Sequence, residues 1–153
     1  MPEAWRIVKS RYAADAFNGE GARLYGSRWT SRGRRAVSAS ASAALAILEV
    51  LVHLEAPAIL PAYMLIPITI PDDAIQRIDP AELPPDWREY PPPARLQELG
   101  DAWLDAGITP VLQVPSAIVP AEFNFVLNPA HPAFARIRIG QPRPYSFDPR
   151  LLR

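Results

Sequence analysis

The run from Ala41 to Leu54 constrains this chain more than any other feature, because it is almost wholly apolar yet carries Glu49 inside it and His53 near its end. A membrane-spanning helix needs about 20 apolar residues, and a charge at its centre costs several kcal/mol. The run is too short and too charged for that, so it is expected to be a core helix, capped by Ser40 or Ser42, running to about Glu55 and closed by Pro57. A carboxylate in such a segment is costly unless it is paired or put to use. A conflict between local sequence and good packing marks the place to look for function.

A second conflict lies upstream, where Gly26-Ser27-Arg28-Trp29-Thr30 sets an arginine in a turn framed by glycine and tryptophan. Arginine presents a planar fork of donors that suits a pyrophosphate or a carboxylate. A carboxylate such as Glu49 can accept a ribose hydroxyl proton or steady a developing cation. Glu49 can instead pair with His53 one turn later, or with an arginine, as an ordinary helix contact.

Composition removes several classes of function. The chain has 153 residues and no cysteine, which excludes disulfides, thiolate nucleophiles and sulfur-bound metals and leaves one domain, residues 1–153, as the expectation. With only His53 and His131, no metal site is expected. Sixteen basic and sixteen acidic residues cancel, so neither nucleic acid nor a membrane surface is an expected partner. Met1 to Arg6 lacks the pattern of a secretory signal, and a cytoplasmic location is expected. The 19 prolines punctuate apolar runs rather than replacing them, which favours rigid loops over disorder.

Strands are expected at Trp5–Val8, Ala36–Ala39, Tyr63–Ile70, Val111–Val114, Phe123–Leu127 and Phe134–Ile139. Pro67 suggests that the third lies at an edge or a bulge. A second helix is expected from about Ala94 to Ala106, with Leu96, Leu99, Trp103 and Leu104 on one face and Gly107 ending it. Pro80 to Pro93 reads as a connection. The whole predicts an α+β domain with mixed or antiparallel sheet and a buried helix, the first and last strands sharing a sheet.

Other candidates have simpler explanations. Ser116 sits where a strand stops between Pro115 and a rigid loop, a position that suits a ligand contact, but no nucleophile elbow surrounds it. Asn124, Asn128 and His131 read as turn organisers. Gly19-Glu20-Gly21 is a fragment of a dinucleotide fingerprint whose third glycine position holds Leu24. Arg32, Arg34 and Arg35 form a basic patch that reads as a solvated loop or a contact with an acidic partner.

Gly19 to Trp29, Ser42 with Ala44 to His53, Pro115-Ser116, Asn124 to Pro129 and His131-Pro132 together resemble the RES-domain toxins, over nearly the whole chain. That family is named for an arginine, a glutamate and a serine, matched here by Arg28, Glu49 and Ser116. The resemblance implies a fold related to ADP-ribosyltransferases and a bacterial type II toxin that forms a hetero-oligomer with a cognate Xre-type antitoxin. It implies depletion of NAD+ by hydrolysis or phosphorolysis, with NAD+ as substrate and no cofactor. Arg28 would hold the NAD+ phosphates or ribose, Glu49 would support cleavage and Ser116 would line the nicotinamide side, with Ser38 and Asn124 also among the NAD+-binding positions. At Ser38 the family commonly has tyrosine, so the aromatic platform expected under nicotinamide is missing, unless Tyr25 or Trp29 substitutes. A protein ADP-ribosyltransferase is the nearest alternative, and an attenuated member that mainly binds its antitoxin is another. A nuclease or RNA-binding toxin is disfavoured by the neutral charge.

Overall fold

Alternating burial along Glu3–Lys9 makes a strand, β1, whose Ala4 and Val8 enter the core. The computed structural model describes residues 2–54 and 61–152. After β1 come α1 (Glu20–Tyr25), β2 (Val37–Ser40), α2 (Ala43–Leu51), β3 (Tyr63–Thr69), β4 (Ile75–Arg77), α3 (Ala94–Ala106), β5 (Val111–Pro115), β6 (Phe123–Leu127), β7 (Arg138–Ile139) and β8 (Arg143–Tyr145), with short 3-10 turns between some of them. The strands form one mixed sheet in the order β4-β5-β6-β2-β1-β3-β7, with β8 also paired to β3. Only β4 and β5 run parallel among the described pairs. The expected α+β class and the shared sheet of first and last strands are therefore what the chain builds. No described helix is long and apolar enough to cross a membrane.

The register sorts side chains onto two faces. Ala4, Val37, Ala39, Ile68, Val111, Phe125 and Leu127 pack together in one core cluster. On the other face, Leu112, Val114 and Val126 pack with Trp29, Ala36, Leu96 and Trp103. Because Ser38 pairs with Val126, and Asn124 with both Ser40 and Val114, this second face turns polar toward β2.

α3 covers the apolar part of the second face with Leu96, Gly100 and Trp103, spaced for one side of a helix. Trp103 Nε1 donates to Thr109 Oγ1 at 3.1 Å, so its burial leaves no orphan donor. Gly100 is present for contact rather than flexibility. A Cβ there would lie 1.6 Å from the Trp29 carbonyl oxygen, so the helix and the Arg28 turn approach closely only without a side chain.

α2 is capped by Ser42, whose Oγ accepts from the Leu45 amide at 3.1 Å. It buries Leu45 and Ala46 but leaves Leu48 38% and Val52 57% exposed. It ends at Leu51, with Val52 as its C-cap, short of the expected end at about Glu55, which with Pro57 lies outside the described residues.

Two expectations need correction. β3 is not an edge, since β1 pairs along its whole length and β7 and β8 flank it on the other side. Pro67 is tolerated because its missing donor faces the break between β7 and β8, where Gly140 donates to the Pro67 carbonyl at 2.8 Å. Phe134–Ile139 is not one strand either: Phe134–Arg136 forms a 3-10 turn and only Arg138–Ile139 joins the sheet.

Candidate active site

The Arg28 turn is built by its neighbours. Gly26, at φ +71°, ends α1 in a conformation that side chains resist. Ser27 N–H then donates to Thr30 O at 2.9 Å, and the Ser27 and Thr30 hydroxyls meet at 2.7 Å. α3 fastens this turn from outside. Gln97 Nε2 donates to Ser27 O at 2.9 Å and Thr30 O at 3.2 Å, while Asp101 accepts from the Ser31 amide and hydroxyl at 3.0 and 2.5 Å. Trp29 is driven into the core at 6% exposed.

Arg28 is half-buried. Its Nη1 donates to the carbonyls of Trp87 at 2.9 Å and Glu89 at 3.0 Å, so it tethers the connection before α3. Among the described residues Nε and Nη2 make no hydrogen bond.

Glu49 faces a different set of partners. Ser116, fully buried at the end of β5, donates from Oγ to Glu49 Oε1 at 3.1 Å. Ser116 Oγ itself accepts from the amides of Ile118 at 3.2 Å and Val119 at 3.1 Å, which fixes where the hydroxyl proton points. Ser42 adds a second tie between α2 and this loop by donating to Glu122 Oε1 at 3.2 Å. Oε2 of Glu49 accepts no hydrogen bond among the described residues. Glu49 forms no ion pair with His53 there, so the simple helix contact is absent.

Arg28 and Glu49 stand near each other without forming a described ion pair. Burial pushes the Arg28 guanidinium below its ordinary value, and electrostatic interaction with Glu49 and then Tyr90 pulls it back upward. Arg28 thus keeps unused donors and Glu49 an unused oxygen, and Glu49 acts electrostatically on Arg28. Such a pair suits a ligand that carries both an anion and a hydroxyl group.

The other expected site residues divide. Ser38 is exposed on the polar margin of the second face, with its carbonyl accepting from Arg6 Nη1 at 2.8 Å. Asn124 Oδ1 accepts from the buried Ser40 hydroxyl at 2.7 Å, which leaves its amide nitrogen unused among the described residues. Burial of Trp29 removes it as a substitute platform. His131 is structural, bridging Gly107 O at 2.8 Å and the Ala133 amide at 2.9 Å. Glu20 is spent on Arg23 and Arg35, and Arg34 pairs with Asp105, so two members of the basic patch already have acidic partners in their own chain. No three histidine, aspartate or glutamate side chains converge among the described residues. A cavity of about 280 Å³ lies beside β4 and α3, and none of Arg28, Ser38, Glu49, Ser116 or Asn124 lines it.

Sequence reasoning missed Gln97, Asp101 and Tyr90. Gln97 and Asp101 lie one helical turn apart around Gly100, and a glycine inside a helix pattern is the signal that a backbone approaches there.

A RES domain family model matches residues 3–148. The chain is 40% identical over 148 residues to a Yersinia enterocolitica protein named Toxin Res, covering 96% of this chain and 97% of that one. It is 36% identical to a Sphingobium protein named Prs ADP-ribosylating toxin, covering 97% and 96% respectively. Its fold is similar to that in the crystal structure of the Mycobacterium tuberculosis MbcT-MbcA toxin-antitoxin complex, with a TM-score of 0.79 and 21% identity over 95% of this chain and 84% of that one.

Proposed function

Because the chain belongs to the RES domain family, a family of toxins, we propose that it cleaves the bond between nicotinamide and ribose in NAD+ and thereby arrests the growth of the cell that makes it. The observation that supports this reading is that Arg28 and Glu49 each keep unused hydrogen-bonding capacity while Glu49 acts electrostatically on Arg28. In the proposed complex, the free donors of Arg28 take the diphosphate, and Glu49 Oε2 accepts a hydroxyl of the nicotinamide ribose.

When the carbon–nitrogen bond breaks, its electron pair stays with nicotinamide, which leaves neutral and needs no general acid. Positive charge is left on the sugar, as in glycoside cleavage, and a carboxylate beside the ribose is worth most at that moment. Water or phosphate then adds to the same carbon. Ser116 acts through Glu49, since its proton is already directed at Oε1 and two amides occupy its oxygen. Asn124 and Ser38, on the polar margin of the sheet, are the further proposed NAD+-binding positions.

The Sphingobium relative favours a second reading, in which a protein side chain accepts the ADP-ribose. A cognate Xre-type antitoxin is the proposed partner, covering the NAD+ entrance in a cytoplasmic complex. Incubating the purified protein with NAD+, with and without phosphate, and identifying the products tests these readings. Nicotinamide should appear together with ADP-ribose or its phosphorylated form. Nicotinamide with labelled protein instead identifies the transferase, and intact NAD+ refutes both.

A further inference from the structure

Tyr90 is 77% exposed, yet the segment that carries it is tied down. Arg28 holds the carbonyls of Trp87 and Glu89 at 2.9 and 3.0 Å, and Arg88 Nε donates to Ala117 O at 2.9 Å. Three prolines, Pro91 to Pro93, follow it and restrict the backbone. A large aromatic side chain left in solvent on a restrained segment is a ready-made contact surface, with little ordering entropy still to lose.

Its surroundings give that surface an address. The Tyr90 ring lies 6.2 Å from the ring of His53, tilted by 56°. His53 comes four residues after Glu49, and Glu89, whose carbonyl Arg28 holds at 3.0 Å, immediately precedes Tyr90. Tyr90 therefore lies between the segment that Arg28 holds and the end of the helix that carries Glu49.

We propose that Tyr90 is the surface on which the nicotinamide ring of NAD+ stacks. The inference rests on the NAD+ reading above and deepens it. Until the bond breaks, nicotinamide is a flat cationic ring, and the electron-rich face of a phenol attracts such a group. The ring closest to the carboxylate that steadies the ribose is nicotinamide rather than adenine. Because the ring leaves neutral, the attraction belongs mainly to the ground state, so Tyr90 governs binding more than bond breaking.

The test uses the full chain carrying Glu49→Gln, so that NAD+ survives a calorimetric titration, with Tyr90 intact or changed to Phe, Leu or Ala. ADP-ribose, which lacks nicotinamide, is titrated alongside. Tyr90→Ala and Tyr90→Leu should weaken NAD+ binding by about 5- to 100-fold, the range typical of ring stacking, and leave ADP-ribose within about twofold. Tyr90→Phe should bind both like the parent. With Glu49 restored, Tyr90→Leu should raise KM for NAD+ and hold kcat within a few-fold. Unchanged NAD+ affinity in folded Tyr90→Ala or Tyr90→Leu overturns the proposal and leaves the NAD+ reading standing. Equal losses for NAD+ and ADP-ribose overturn the nicotinamide assignment. A Tyr90-intact chain that binds neither ligand overturns the NAD+ reading, and this inference with it.

Discussion

Replacing Gly100 with alanine should dislodge the Arg28 turn from α3. The new Cβ would lie 1.6 Å from Trp29 O and 2.7 Å from Trp29 C, both backbone atoms that no side-chain rotation can clear. Helix and turn must separate by roughly 1.5 Å or more to regain ordinary contact. Overpacking of this kind costs about 1–3 kcal/mol. Separation also strains the bonds from Gln97 and Asp101, each worth about 1 kcal/mol net. Alanine returns about 1 kcal/mol of helix propensity. The balance is a loss of about 2–4 kcal/mol, which for a chain of this size lowers Tm by roughly 5–15 °C. Arg28 is carried with Trp29, so NAD+ consumption should fall by about 10²-fold below the new Tm, the typical penalty for a shift of about 1 Å. Gly21→Ala is the control, because its Cβ would meet nothing within 4 Å in α1 and should be neutral or slightly stabilising. Calorimetry and a turnover assay on the two variants decide the matter. A Gly100→Ala protein that melts no lower than wild type and turns over NAD+ at the same rate would refute the claim that α3 positions the arginine.

Ser38 is exposed, so Ser38→Tyr should change stability by no more than about 0.5 kcal/mol while increasing NAD+ consumption at subsaturating substrate. Equal turnover and equal NAD+ affinity would show that this position does not face the nicotinamide ring. The Glu20 carboxyl is held below its ordinary value of 4.5 by its hydrogen bond to Arg23, with Arg35 adding to the effect. A lowered carboxyl pKa in the folded state gives stability that is present above pH 4.5 and lost as pH falls through the folded value. The Tm difference between wild type and Glu20→Gln should accordingly be largest near pH 7 and shrink below about pH 4, and a difference that grows with acid would contradict that assignment.

Legibility followed the range of the interactions. α3, bounded by Pro93 and Gly107, falls where its apolar spacing places it, and Phe123–Leu127 likewise matches its expected limits. Ser42 caps α2 as one of two serines that local pattern left open. The Glu49–Ser116 contact joins residues 67 apart, and the Arg28 tethers reach across 59 and 61 residues, so no spacing rule reveals them. What a local reading could single out was a lone carboxylate in an apolar run and an arginine in a constrained turn. Tyr90 did not stand out, because a tyrosine among prolines reads as a loop, and its ring contact with His53 is a long-range one. The misplaced edge at Pro67 has the same origin, since its tolerance depends on the break between β7 and β8.

In the proposed reaction Glu49, steadied by Ser116 and acting with Arg28, supports cleavage of NAD+. The most direct measurement is the rate of nicotinamide release from NAD+ by purified wild-type and Glu49→Gln proteins of matched thermal stability. Glutamine keeps the shape and an acceptor for the Ser116 hydroxyl but removes the charge that answers the cationic sugar, so release should fall by about 10²–10³-fold, typical of one such electrostatic contact. Release by Glu49→Gln at the wild-type rate would contradict the account.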